Sequence, residues 1–236
     1  MTTAATRRGK ASTSPSNVSA DKSQSLQTFS LVDLQQYTQE KTYSNTASKD
    51  FHLFYVGRDD VHDILKHVLS RVRVSLYLNM FGYDDDELND ILMEKVMDPQ
   101  ITMLITLDQS QAGGKHEAAL IAADKAKGLS AFNTHYVIGQ SATHQISHTK
   151  GFVADGKLGG EGSTNWSSSG EGTFVVTGQA GGAGYKAQNN TQTIFIDQDT
   201  ISRFEAELIL EHMAAQKAKG QPASAPAQAA AAGKKN

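Results

Sequence analysis

Residues 148–165 place an imidazole, an ammonium, a hydroxyl and a carboxamide at close spacing. They run His148-Thr149-Lys150-Gly151-Phe152-Val153-Ala154-Asp155 and end in Gly162-Ser163-Thr164-Asn165. Successive side chains of a strand alternate faces, so His148 and Lys150 are expected on one side, and Ser163 and Asn165 share a side in the same way. Two neighbouring strands would bring the four groups together, and that set suits a phosphodiester. A neutral imidazole is a competent nucleophile toward phosphorus, while Lys150, Ser163 and Asn165 offer donors to oxygens whose charge grows in the transition state. Nothing in the set demands a metal or a cofactor.

Asp155 reads differently. It lies seven residues after His148, an odd spacing that puts it on the opposite strand face, and Asp155-Gly156 between two apolar runs is a tight-hairpin signal. Its expected role is to organise the hairpin in support of the site, and Gly162 shapes the turn that delivers Ser163 and Asn165.

These residues match in full the pattern His-x-Lys-x4-Asp-x6-Gly-Ser-x-Asn, and the stretch resembles the signature of the phospholipase D superfamily. Six specified residues at fixed spacing arise by chance in on the order of one chain in 10⁵ to 10⁶ of this size. The resemblance extends over roughly residues 50–216, because a strand-helix-strand-helix lead-in precedes the motif and a strand and closing helix follow it. It implies a phospholipase D-like α/β/α sandwich with a mixed sheet, in which His148 forms a covalent phosphohistidine and a second histidine protonates the leaving oxygen. The chain carries one copy of the motif. His116-Glu117-Ala118 is the nearest alternative and lacks the rest. Single-copy members of the superfamily pair two motifs across a two-fold axis, so the resemblance implies a homodimer. One departure stands out: relatives carry a Glu in an Asn-x-Glu element that supports the catalytic histidine, and here the matching stretch is Asn189-Asn190-Thr191-Gln192. Thr191 or Gln192 substitutes for it, or Glu161, Glu171 or Asp197 reaches in.

The elements that must hold this motif are legible from hydrophobic period. Phe51–Val56 reads as a strand, Val61–Val72 as a helix, Val74–Met80 as a strand and Ile101–Leu107 as a strand buried on both faces. Asp84, Asp85 and Asp86 resemble a metal cluster, but three acids there are better read as the start of a helix through Val96. A helix over Gln111–Lys127, strands near His135–Ile138, Ser147–Ala154, Lys157–Gly160, Phe174–Thr177 and Thr193–Ile196, and a helix over Thr200–Gln216 complete the alternation. That is an α/β pattern. His144 reads as a loop residue and Trp166 as core, with base stacking as the alternative. Gly178–Gly184 reads as a flexible loop beside the site, able to act as a lid.

The chain has 236 residues, no Cys and a net charge of −3. Disulfides, thiolate metal sites and a Cys nucleophile are therefore excluded. The tails, 1–25 at +3 and 217–236 at +4, leave residues 26–216 near −10. Both tails lack apolar residues able to form a core and are expected to be disordered, flanking one catalytic domain over 26–216. No signal peptide or membrane span is evident, so a cytoplasmic location without stable membrane association is expected. A metal-independent endonuclease is the leading reading. Its basic tails offset an acidic body that is poorly suited to polynucleotides. A phospholipase D-type hydrolase of lipid head groups lacks an amphipathic basic helix. A catalytically silent binding module would explain the missing Glu.

Overall fold

Alternating Val, Leu, Ile and Phe positions build the strands, and acidic caps start the helices between them. The structure is a computed structural model, and it describes residues 30–108, 114–127, 134–139 and 148–219. A 3₁₀ turn over Leu31–Tyr37, which the sequence does not announce, buries Leu31 and Leu34. Then follow β1 (Phe51–Tyr55), α1 (Val61–Leu69), β2 (Ser75–Met80), α2 (Asp86–Met97), β3 (Thr102–Asp108), α3 (Lys115–Lys127) and β4 (Thr134–Gly139). The second half holds β5 (Gly151–Ala154), β6 (Leu158–Gly162), the short helices α4 (Ser168–Glu171) and α5 (Thr173–Thr177), β7 (Thr191–Phe195) and α6 (Gln198–Lys219).

Seven strands among the described residues form one mixed sheet in the order β1-β7-β6-β5-β2-β3-β4. β2, β3 and β4 run parallel, while β5, β6, β7 and β1 join antiparallel. Strand alternation divides the core. Leu76, Leu78, Met103, Ile105, Phe152 and Ile194 face one layer with Ile64, Leu65, Leu88 and Leu92 of α1 and α2. Val153 and Phe195 face the other, under Ile201 and Leu208 of α6. Helices thus cover both faces of the sheet, as expected for an α/β/α sandwich.

Three expectations are corrected. Phe174–Thr177 is helix α5, not a strand, although Val and Thr favour strands. The slot beside β6 is filled by β7, and Gly172 and Gly178, both at φ 67°, bracket the segment as a single isolated turn. β5 starts at Gly151, not Ser147, because its partner β2 pairs only as far as Asn79 with Gly151. The closing helix runs past Gln216 to Lys219, so a boundary at 216 would cut it. Residue His144 lies outside the described residues, as do both tails up to residue 29 and from residue 220.

Candidate active site

The motif is presented by the β5–β6 hairpin near the middle of the sheet. Asp155 and Gly156 both have positive φ, 54° and 61°, the backbone an Asp-Gly hairpin turn requires. The Asp155 carboxylate accepts the backbone N–H groups of Arg73, Val74 and Ser75 at 2.8–3.1 Å, which ties the turn to the start of β2. Asp155 therefore sits at the far end of the hairpin from His148, where it anchors the turn to β2.

At the near end, His148 and Lys150 lie in irregular backbone just before β5, and Ser163 and Asn165 just after β6. Strand alternation is thus not what orients them. The loop leaving β2 packs against His148, Lys150 and Asn165, while Ser163 is held from the β7 side. Phe81 lies 4.8 Å, ring to ring, from the exposed His148 and 5.1 Å from the Lys150 ammonium, and the next residue, Gly82, lies against the Asn165 carboxamide. A Cβ at Gly82 would sit 3.1 Å from Asn165 Oδ1, so glycine here lets the carboxamide lie flat on the loop. Lys150 is 2% exposed and donates to the His148 carbonyl at 2.7 Å. Burial lowers its pKa, against a weaker opposing pull from Glu161. Ser163 Oγ accepts from Thr191 N at 3.0 Å and donates to Asn190 Oδ1 at 3.1 Å. Gly162 lies where a Cβ would strike the Thr191 carbonyl, so only glycine lets β6 pass β7 here. Asn165 Oδ1 is buried without a hydrogen-bond partner among the described residues.

No family model and no curated protein matches this chain. Among solved structures, NucT from Helicobacter pylori is similar at TM-score 0.53 and 17% identity, over 70% of this chain and 96% of that one. Nuc from Salmonella typhimurium, described as a phospholipase D family member, aligns at TM-score 0.48 and 15% identity, over 68% of this chain and 92% of that one. The chain has a phospholipase D-like fold.

Among the described residues, no acid considered as a partner for His148 is hydrogen-bonded to it. Asp197 is exposed and accepts from Thr200 N at 2.8 Å, which starts α6. Glu161 is exposed on β6. Gln192 is fully buried on β7 opposite Gly162, its Oε1 without a partner among the described residues. Trp166 is core, edge-on to Phe152 at 6.0 Å, which favours the packing reading over base stacking.

Glu171 does reach a histidine, but it is His62, in the first turn of α1. Nδ1 of His62 lies 2.5 Å from Glu171 Oε2 and 3.6 Å from Asp85 Oδ2. Burial opposes the imidazolium, yet the hydrogen bond and charge of Glu171, with Asp85, raise the His62 pKa to about 9. Burial raises the Glu171 pKa to about 7 despite its hydrogen bond to His62. Asp85 meanwhile caps α2 by accepting from Leu88 N at 2.8 Å, so the helix-start reading of Asp84–Asp86 holds. The sequence gives no hint of this constellation, because its members are separated by long stretches of chain. Glu171, considered as a partner for His148, and Asp85, in the acidic run that starts α2, are its two members that the sequence draws notice to, but nothing in it joins them to His62.

Proposed function

We propose that this chain is a metal-independent phosphodiesterase, an endonuclease that cleaves nucleic acid through a covalent phosphohistidine at a site shared by two copies of the chain. The observation that carries the reading is the convergence at Phe81-Gly82 of the two halves of the motif, His148 with Lys150 from one and Asn165 from the other. In the reading, neutral His148 attacks phosphorus, the phosphodiester P–O bond breaks, and the departing oxygen takes a proton from the partner subunit's His148. That same imidazole, now neutral, removes a proton from water, which attacks the phosphohistidine and releases phosphate monoester and free His148. Lys150 and Asn165 stabilise the phosphoryl oxygens throughout.

Among the described residues no helix is long and apolar enough to cross a membrane. The nuclease assignment rests on the motif and on the basic tails, with the acidic body positioned between them. The test is a panel of labelled DNA, RNA and a phosphatidyl substrate, each with and without EDTA. Chelator-insensitive cleavage of nucleic acid is the expected result. Turnover of the phosphatidyl substrate alone would move the assignment to lipid, and loss of all turnover restored by Mg²⁺ would overturn the metal-free mechanism.

A further inference from the structure

We propose that His62, Asp85 and Glu171 form a buried divalent-metal site, suited to Zn²⁺, that pins the loop walling the phosphodiester site. One imidazole and two carboxylates from three different elements present ligand atoms that all lie within 4.8 Å of one another. A Zn²⁺ with bonds of about 2.0–2.2 Å holds its ligands roughly 3.3 Å apart, and the observed separations of 2.5 and 3.6 Å from His62 Nδ1 straddle that value. Side-chain exposures of 8% for His62 and Asp85 and 0% for Glu171 exclude bulk water.

Two further observations point to a cation and not to a hydrogen-bonded pair alone. Glu171 Oε1 is buried with no hydrogen-bond partner among the described residues, a costly arrangement for a carboxylate oxygen. Ligation of both Glu171 oxygens would satisfy it and, with His62 and Asp85, supply four donors. The outer ring of the imidazole is also furnished: His62 Nε2 faces Glu87 at 3.8 Å, and Glu87 is held by Lys66 at 2.5 Å. A carboxylate hydrogen-bonded to the far nitrogen commonly fixes a ligating histidine, and a movement of about 1 Å would bring Glu87 into that bond. Asp85 belongs to the same loop as Phe81 and Gly82, and both Asp84 N and Asp85 N donate to the Trp166 carbonyl. The metal would thus join α1, the start of α2 and the end of α4 at the wall of the motif, with no part in bond cleavage.

The site is tested on the full chain free of any polyhistidine tag. Elemental analysis after gel filtration should find one Zn²⁺ per chain, and Zn²⁺ added to EDTA-stripped protein should raise Tm by about 5–10 °C at saturation. Glu171→Gln should weaken Zn²⁺ binding at least about tenfold, while His148→Asn should leave the stoichiometry unchanged. Should Glu171→Gln fail to fold, Co²⁺ titrated into the unsubstituted stripped chain must give the visible absorption of a four-coordinate site. Metal content near zero with an unmoved Tm, or absent Co²⁺ bands, overturns the proposal, as does loss of the bound metal in His148→Asn. Chelator-insensitive nuclease activity is a separate readout, so either conclusion can fail alone.

Discussion

His148 and Asp155 belong to one motif but to opposite ends of one hairpin, and single substitutions should separate their roles. His148→Asn is expected to abolish turnover with Tm unchanged, because the ring is exposed and removes no core methylene. Asp155→Ala should do the reverse. It strips the acceptor from three backbone N–H groups at the entry to β2 and should cost about 2–3 kcal/mol in denaturant unfolding. Asp155→Asn should cost less, since Oδ1 accepts from all three amides and Asn tolerates positive φ, although its new NH₂ would face the Arg73 N–H that Oδ2 also accepts at 3.1 Å. Activity per folded molecule should survive both. An Asp155→Ala protein that is stable but inactive would give the carboxylate a chemical role that its position does not suggest. Lys150→Gln, by contrast, should lower kcat by roughly 10²–10³ if its ammonium stabilises developing charge.

At the level of elements, the hairpin is held by aromatic rings lying over its glycines. A Cβ on Gly160 would meet the Phe152 ring at 2.4 Å, so Gly160→Ala should cost about 1–3 kcal/mol by overpacking. Gly182→Ala, with nothing within 4 Å of the added carbon, should leave stability unchanged; thermal melts of the two variants check both. Strong periodic segments such as Val61–Leu69 and Thr102–Asp108 were readable in the sequence because burial on a helix stripe or a parallel strand leaves a pattern in the residues themselves. Phe174–Thr177 was misread because its local preference lost to the sheet, whose neighbouring slot β7 had already filled. The motif was legible because its residues are close in sequence. The wall formed by Phe81 and Gly82, and the His62–Asp85–Glu171 cluster, were not, because contacts between distant segments leave no local spacing.

For the molecule as a whole, the copy count sets the decisive experiment. Co-refolding wild-type chain with excess His148→Asn should lower activity per wild-type subunit steeply, since every heterodimer has lost one of its two imidazoles; a flat titration would mean that each chain works alone. Shortening the chain to residues 26–219, so that α6 stays whole, should weaken polynucleotide binding and flatten its salt slope while sparing hydrolysis of a small phosphodiester. The sheet order carries a further consequence for a protein made from its amino end on a ribosome. β7 is the strand that pairs with both β6 and β1, and its Thr191 amide is the group that orients Ser163. A nascent chain that has emerged only as far as Gln188 therefore holds His148, Lys150 and Asn165 but has neither closed its sheet nor fixed its hydroxyl. Under the proposed nuclease function, such a nascent chain should not cleave the messenger beside it until β7 has emerged and paired.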